Sequence, residues 1–89
     1  MKSPSDFLKE AARMIDARGK QYGDYNKNFE LNAKGLELVL NQEVKPFQSP
    51  LILAITKLTR LFYDPFNKDS WVDLLAYIAI AAYLASKKK

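Results

Sequence analysis

The stretch Asp69-Ser70-Trp71-Val72-Asp73-Leu74-Leu75-Ala76-Tyr77, with the apolar run that continues to Ala85, decides the fold. At about 3.6 residues per turn it reads as a helix that is apolar on nearly every face, with one carboxylate, Asp73, left well inside it. A helix of that kind is normally buried, in a core or in a membrane. A carboxylate goes inside only when it is paired. Asp73 therefore either meets a cation or lines a cleft, and the functional reading depends on which.

Working outward, Asp69 or Ser70 reads as the N-cap of this last helix, with Ser70 and Asp73 spaced as a capping box. The segment before it, Tyr63-Asp64-Pro65-Phe66-Asn67-Lys68, reads as a turn, because Asp-Pro favours leaving a helix. Ser49-Pro50 has the cap-plus-proline form of a helix start. Leu51, Ile52, Ala54, Ile55, Leu58, Leu61 and Phe62 then give that helix a broad apolar side, opposite Thr56, Lys57, Thr59 and Arg60. Further upstream, Asp24 suits the N-cap of a helix striped by Phe29, Ala33, Leu36 and Leu40. Gly35 falls inside that helix, where it permits a close helix crossing. Ser3-Pro4-Ser5-Asp6 is another capping-box start, followed by Phe7, Leu8, Ala11, Met14 and Ile15 at helical spacing, with Gly19 as the stop. The expectation is an all-α single domain over 1–89, resembling a four-helix bundle. Its helices fall near 4–18, 25–41, 50–63 and 70–86, and the last two form an antiparallel hairpin.

Composition narrows the chemistry. There is no cysteine and no histidine, so disulfides, Cys/His zinc sites and thiol or imidazole catalysis are excluded. An oxygen-ligand metal such as Mg²⁺ stays compatible with the chain. The net charge of +4 owes part of its sign to Lys87-Lys88-Lys89, which suits the negative end of a helix dipole. DNA binding would rest on that charge alone, since the basic residues are scattered and no helix-turn-helix pattern is present. The apolar run of the last helix is shorter than the roughly 20 residues of a bilayer span, so no membrane contact is expected. The start has no apolar signal core, which makes the cytoplasm the expected location.

Three constellations could carry chemistry. In an antiparallel hairpin centred near Phe66 and Asn67, Arg60 and Asp73 are about equally far from the turn, and Lys57 falls level with Ala76 and Tyr77. Lys57, Arg60, Asp73 and Tyr77 would then share one polar seam, either as an internal neutralised pair or as a cleft whose cations receive phosphate or carboxylate. Lys20, Tyr22, Gly23, Asp24, Lys27 and Asn28 form the second: a glycine turn feeding a helix N-terminus offers free N–H groups to an anion. Asp69 and Asp73, four apart, form the third, a carboxylate pair that could help hold Mg²⁺ with substrate phosphates and water completing the shell. Tyr22 and Trp71 lie close enough to these groups to stack on a nucleobase.

Those blocks also resemble a known family. Arg18-Gly-Lys-Gln-Tyr22-Gly23-Asp24-Tyr-Asn-Lys-Asn28-Phe29, then Lys57-Leu-Thr-Arg60-Leu61, then Lys68-Asp69-Ser-Trp71-Val72-Asp73-Leu-Leu-Ala-Tyr77 resembles a family of small helical phage and prophage proteins of uncharacterised function. The last block is also similar to the closing helix of MazG-type all-α nucleotide pyrophosphohydrolases, in which an aspartate matching Asp73 helps hold Mg²⁺. Those enzymes carry Glu-x-x-Glu and Glu-x-x-Asp helices. This chain has no Glu-x-x-Glu, and Ser70 stands three before Asp73.

The resemblance therefore implies a phage-derived nucleotide-binding protein that sequesters or modulates a nucleotide in a bacterial cytoplasm. Binding without turnover is preferred to Mg²⁺-dependent hydrolysis of a nucleoside triphosphate. The expected ligand residues are Lys57, Arg60, Asp73, Tyr77, Lys20, Tyr22, Asp24 and Asn28. The alternative is a small helical protein that binds and inhibits a host protein. In either case Leu31, Leu38, Val39, Ile78 and Tyr83 exceed what one small bundle can cover, so a homo-oligomer is expected.

Overall fold

The structure is a computed structural model that describes residues 3–22 and 25–87, the side chains of Gln21 and Tyr22 excepted. It contains four helices: α1 (Pro4–Tyr22), α2 (Tyr25–Leu40), α3 (Gln48–Tyr63) and α4 (Lys68–Ser86). No strand occurs among the described residues, and the all-α reading holds. No described helix is long and apolar enough to cross a membrane.

The all-round apolar helix is the one the others pack on. Helix α4 lies chiefly against α3 and next against α1, while α2 leans mainly on α3. Its Val72 and Ala76 close one cluster with Ala11, joined by Phe7, Met14, Ile15 and Leu75. One to two turns on, Ile80 and Leu84 close a second cluster with Phe29, joined by Ile15, Tyr25, Phe47 and Leu53. Ile15 touches both, so α1 and α4 form a continuous seam. Small residues (Ala11, Ala33, Ala54, Ala76 and Ala81) make up much of the buried apolar core, and they let four short helices approach closely.

Helix ends depart from the sequence expectation in instructive ways. At the α1 start half of the expected capping box forms: the Asp6 carboxylate accepts from the Ser3 N–H at 3.2 Å, while the Asp6 N–H donates to the Ser3 carbonyl at 3.1 Å. Gly19, however, does not stop the helix, which runs on to Tyr22. A methyl group at Gly19 would only reach ordinary contact with the Tyr25 ring, 3.4 Å away. Gly35 has nothing within 4 Å of where its Cβ would lie, so no helix crosses there. Helix α2 ends one residue early because Asn41 is left-handed, with φ of 54°, a conformation asparagine tolerates better than most residues.

Helix α3 starts at Gln48, whose side chain accepts from the Lys45 N–H at 2.8 Å. Ser49 is therefore not a cap. It is fully buried in the first turn, and its hydroxyl donates to the Asn32 side-chain oxygen. Helix α4 starts at Lys68 because Asn67 is the cap, its side chain accepting from the Ser70 N–H at 3.1 Å. Asp73 is thereby released from the expected capping box.

Candidate functional site

Asp73 meets two cations. Its Oδ2 lies 2.9 Å from Lys57 Nζ, and its Oδ1 accepts from Arg18 Nη2 at 3.4 Å. The Asp73 and Lys57 side chains are only 13% and 18% exposed, whereas Arg18 is 38% exposed. The carboxylate thus sits on the innermost helix, an inner cation neutralises it, and an outer cation leans on it from the solvent side. Three helices supply the three charges: α1, α3 and α4.

The hairpin was expected to bring Arg60 opposite Asp73, and it does not. Helix α3 turns Ala54, Lys57 and Leu61 towards the core, at the i, i+3, i+7 spacing of one helix face. Arg60 falls off that line and is exposed. The facing register is one helical turn nearer the α3 start than a turn centred on Phe66 and Asn67 would give.

Arg18 also lines a cleft of 340 Å³, at the small end of ordinary ligand pockets, about 300–1,000 Å³. Asn28 and Asn32 of α2 supply amides to its wall, and Tyr25 and Tyr77 supply rings and phenols. Phe29, Leu53 and Ile80 form its apolar part. Lys57 and Asp73 do not line the cleft; they hold the arginine that does. Asn32 is fixed by the buried Ser49 hydroxyl. Tyr25 is fixed by the hydrogen bond its phenol donates to the Ile15 carbonyl and by stacking on Phe29, with centroids 6.3 Å apart. Burial raises the Tyr25 phenol pKa above its ordinary value of 10.0, opposed by the Arg18 charge and assisted by that of Asp16.

The remaining expected residues divide clearly. Asn28 and Tyr77 reach the cleft. Lys20 is exposed in the last turn of α1. Tyr22 ends that helix, and its side chain lies outside the description. Asp24 and Gly23, and with them the expected anion-binding turn and N-cap, lie outside the described residues. Trp71 is half-exposed, its indole N–H bound to the Pro65 carbonyl at 2.9 Å, away from the cleft.

Asp69 is exposed in the first turn of α4, and both Asp73 oxygens already face cations. Among the described residues no three acidic, histidine or cysteine side chains gather where they could hold a metal ion. The donors among the described residues do not fit a resident Mg²⁺.

Sequence reasoning missed Arg18, Tyr25 and Asn32. Arg18 had a usable signal: it continues the stripe of Ala11, Met14 and Ile15 by three and four residues. A cation on an otherwise core-facing stripe of one helix and a lone carboxylate inside another call for each other. The expected helix stop at Gly19 hid this by placing Arg18 at a frayed end.

A family model described as a domain of unknown function (DUF6378) matches residues 6–85. No curated protein and no solved structure matches the chain.

Proposed function

The chain belongs to the DUF6378 family of domains of unknown function, and from that premise we propose that it binds a nucleotide in the cleft lined from all four helices and sequesters it or modulates its supply. The observation that carries this reading is Arg18, a half-exposed cation lining a cleft with two amides and two phenols. Arginine presents a planar fork of donors that suits phosphate oxygens. Asn28 and Asn32 each offer both a donor and an acceptor, as the edge of a base requires, and Tyr25 or Tyr77 offers a ring for stacking.

Asp73 orients Arg18 and, with Lys57 balancing its charge, leaves the site net positive. Arg60 has no part in it. The carboxylate cluster that hydrolysis of a nucleoside triphosphate would need is not gathered among the described residues, so binding without turnover is the preferred reading. A phage origin accords with the resemblance of the Tyr22-Gly23-Asp24, Lys57-x-x-Arg60 and Asp69-to-Tyr77 blocks.

The test is a thermal-shift panel of nucleoside mono-, di- and triphosphates and cyclic dinucleotides, with and without Mg²⁺. A ligand at about 100 times its dissociation constant adds roughly 2.7 kcal/mol. In a domain this small, that raises the melting temperature by about 10 °C or more. The shift should vanish in Arg18→Ala. A flat panel, or an Arg18→Ala variant that responds as the parent does, sinks the proposal.

A specific observation favours a second reading, a small protein that binds and inhibits a host protein. Leu31, Leu38 and Val39 stand exposed on α2, and none of them lines the cleft. A flat nucleotide panel together with a protein captured in stoichiometric amount through that face would favour it.

A further inference from the structure

We propose that the chain forms a symmetric dimer by antiparallel pairing of α3 with α3 of a second copy. Leu51, Ile55, Leu58 and Phe62 follow one another by four, three and four residues, the spacing of a coiled-coil seam. All four are exposed, Ile55 to 59% and Phe62 to 78%. The seam carries no charge, because Lys57 is drawn inward onto Asp73 and Arg60 lies off it. Single exposed apolar residues are ordinary on a protein surface, but a contiguous stripe marks an interaction face.

The stripe fits itself. Antiparallel helices related by a two-fold axis through its midpoint would set Ile55 of each copy against Leu58 of the other. Leu51 of each copy would then meet Phe62 of the other. Beside Leu51 lies a groove of 270 Å³ whose apolar wall is Leu40, Val44, Ile52 and Ile55 and whose polar lining includes Glu43, at the opposite end of the stripe from the prominent Phe62 ring. Ring and groove are thus equidistant from the midpoint, about 16 Å apart along the helix, as a self-complementary contact requires. Parallel pairing would set ring against ring and leave both grooves empty.

The apolar area is of the order such an interface needs. A stable interface takes about 800 Å² from each partner, some 60% of it apolar. The stripe with the neighbouring Leu40 exposes on the order of 500 Å² of mostly apolar surface. A second copy is the occupant that this arrangement specifies, and the cleft at Arg18 stays outside the interface.

The test is sedimentation equilibrium on the full chain with two single variants, Ile55→Glu and Leu58→Lys, and their equimolar mixture. Both positions are exposed in the single chain, and circular dichroism verifies that each variant is folded. The parent should sediment at twice its 10.2 kDa mass, and each variant alone at the single mass. The mixture should return to the double mass, because antiparallel register places the introduced glutamate of one chain opposite the introduced lysine of the other. A parent that stays single at hundreds of micromolar overturns the proposal and leaves the stripe to a different protein. Folded variants that remain dimeric also overturn it, by moving the interface elsewhere. A mixture that does not recover refutes the antiparallel register.

Discussion

The inner and outer sides of α3 each depart at one feature from the ordinary plan of a small helical protein. Its inner side turns a lysine towards the core, where Asp73 and Arg18 join it. Its outer side shows leucine, isoleucine and phenylalanine to solvent. Each arrangement works against the stability of an isolated chain. Charges lose hydration inside, and apolar side chains outside gain nothing from burial. A domain of this length has little stability to spare. Under the two proposals, both sides of α3 answer to what the protein meets: a nucleotide in the cleft whose Arg18 the inner charges orient, and a second copy against the outer stripe.

The sharpest way to break this comparison is to remove the inner carboxylate. Asp73→Ala leaves Lys57 facing the interior without its partner and should cost about 3 kcal/mol, a fall of more than about 10 °C in melting temperature. Lys57→Met combined with Asp73→Leu should recover most of that loss, since well-packed apolar residues replace a buried pair at little or no cost. The double variant should still lose nucleotide binding, because Arg18 has lost the group that orients it. If it kept full binding, the inner charges would have no part in the site.

A smaller effect tests how far the packing extends. Gly35→Ala meets open space and should stabilise the chain by up to about 1 kcal/mol, the ordinary gain of alanine over glycine inside a helix. Chemical denaturation measures it. A loss instead would show that α2 makes a contact through Gly35 that the fold does not display.

The smallest effect concerns pH. Burial raises the Tyr25 phenol pKa above 10.0, so near that pH the unfolded chain gives up its proton before the folded chain does. Stability from this group is therefore intact below about pH 10 and is lost as pH climbs through the folded value. Tyr25→Phe should show a shallower decline above pH 10 than the parent. Equal slopes would mean that the phenol is as free to ionise in the folded chain as in the unfolded one.

The fold was legible because its signals were redundant. The all-round apolar helix, the Asp64-Pro65 turn and the capping residues each pointed to four helices, and shifts of one to four residues at some of their ends did not disturb that. The site was legible only in part. The lone carboxylate of α4 announced that a cation must face it, and Lys57 was among those named. Which cations meet it depends on helix phase to within one residue and on the hairpin register to within one turn. Propensity fixes neither, so Arg60 was expected and Arg18 was not. The Asn32 amide is held at the site by the buried Ser49 hydroxyl. A serine beside a proline at a helix start looks the same in sequence whether it caps or packs.

The measurement that bears most directly on the central claim is an amide NMR titration of the full chain with the nucleotide giving the largest thermal shift. Perturbed resonances should concentrate at Arg18, Asn28, Asn32 and Tyr77, with the stripe from Leu51 to Phe62 unmoved. Perturbations confined to that stripe or to α2's Leu38 and Val39, or none at saturating ligand, would contradict the account.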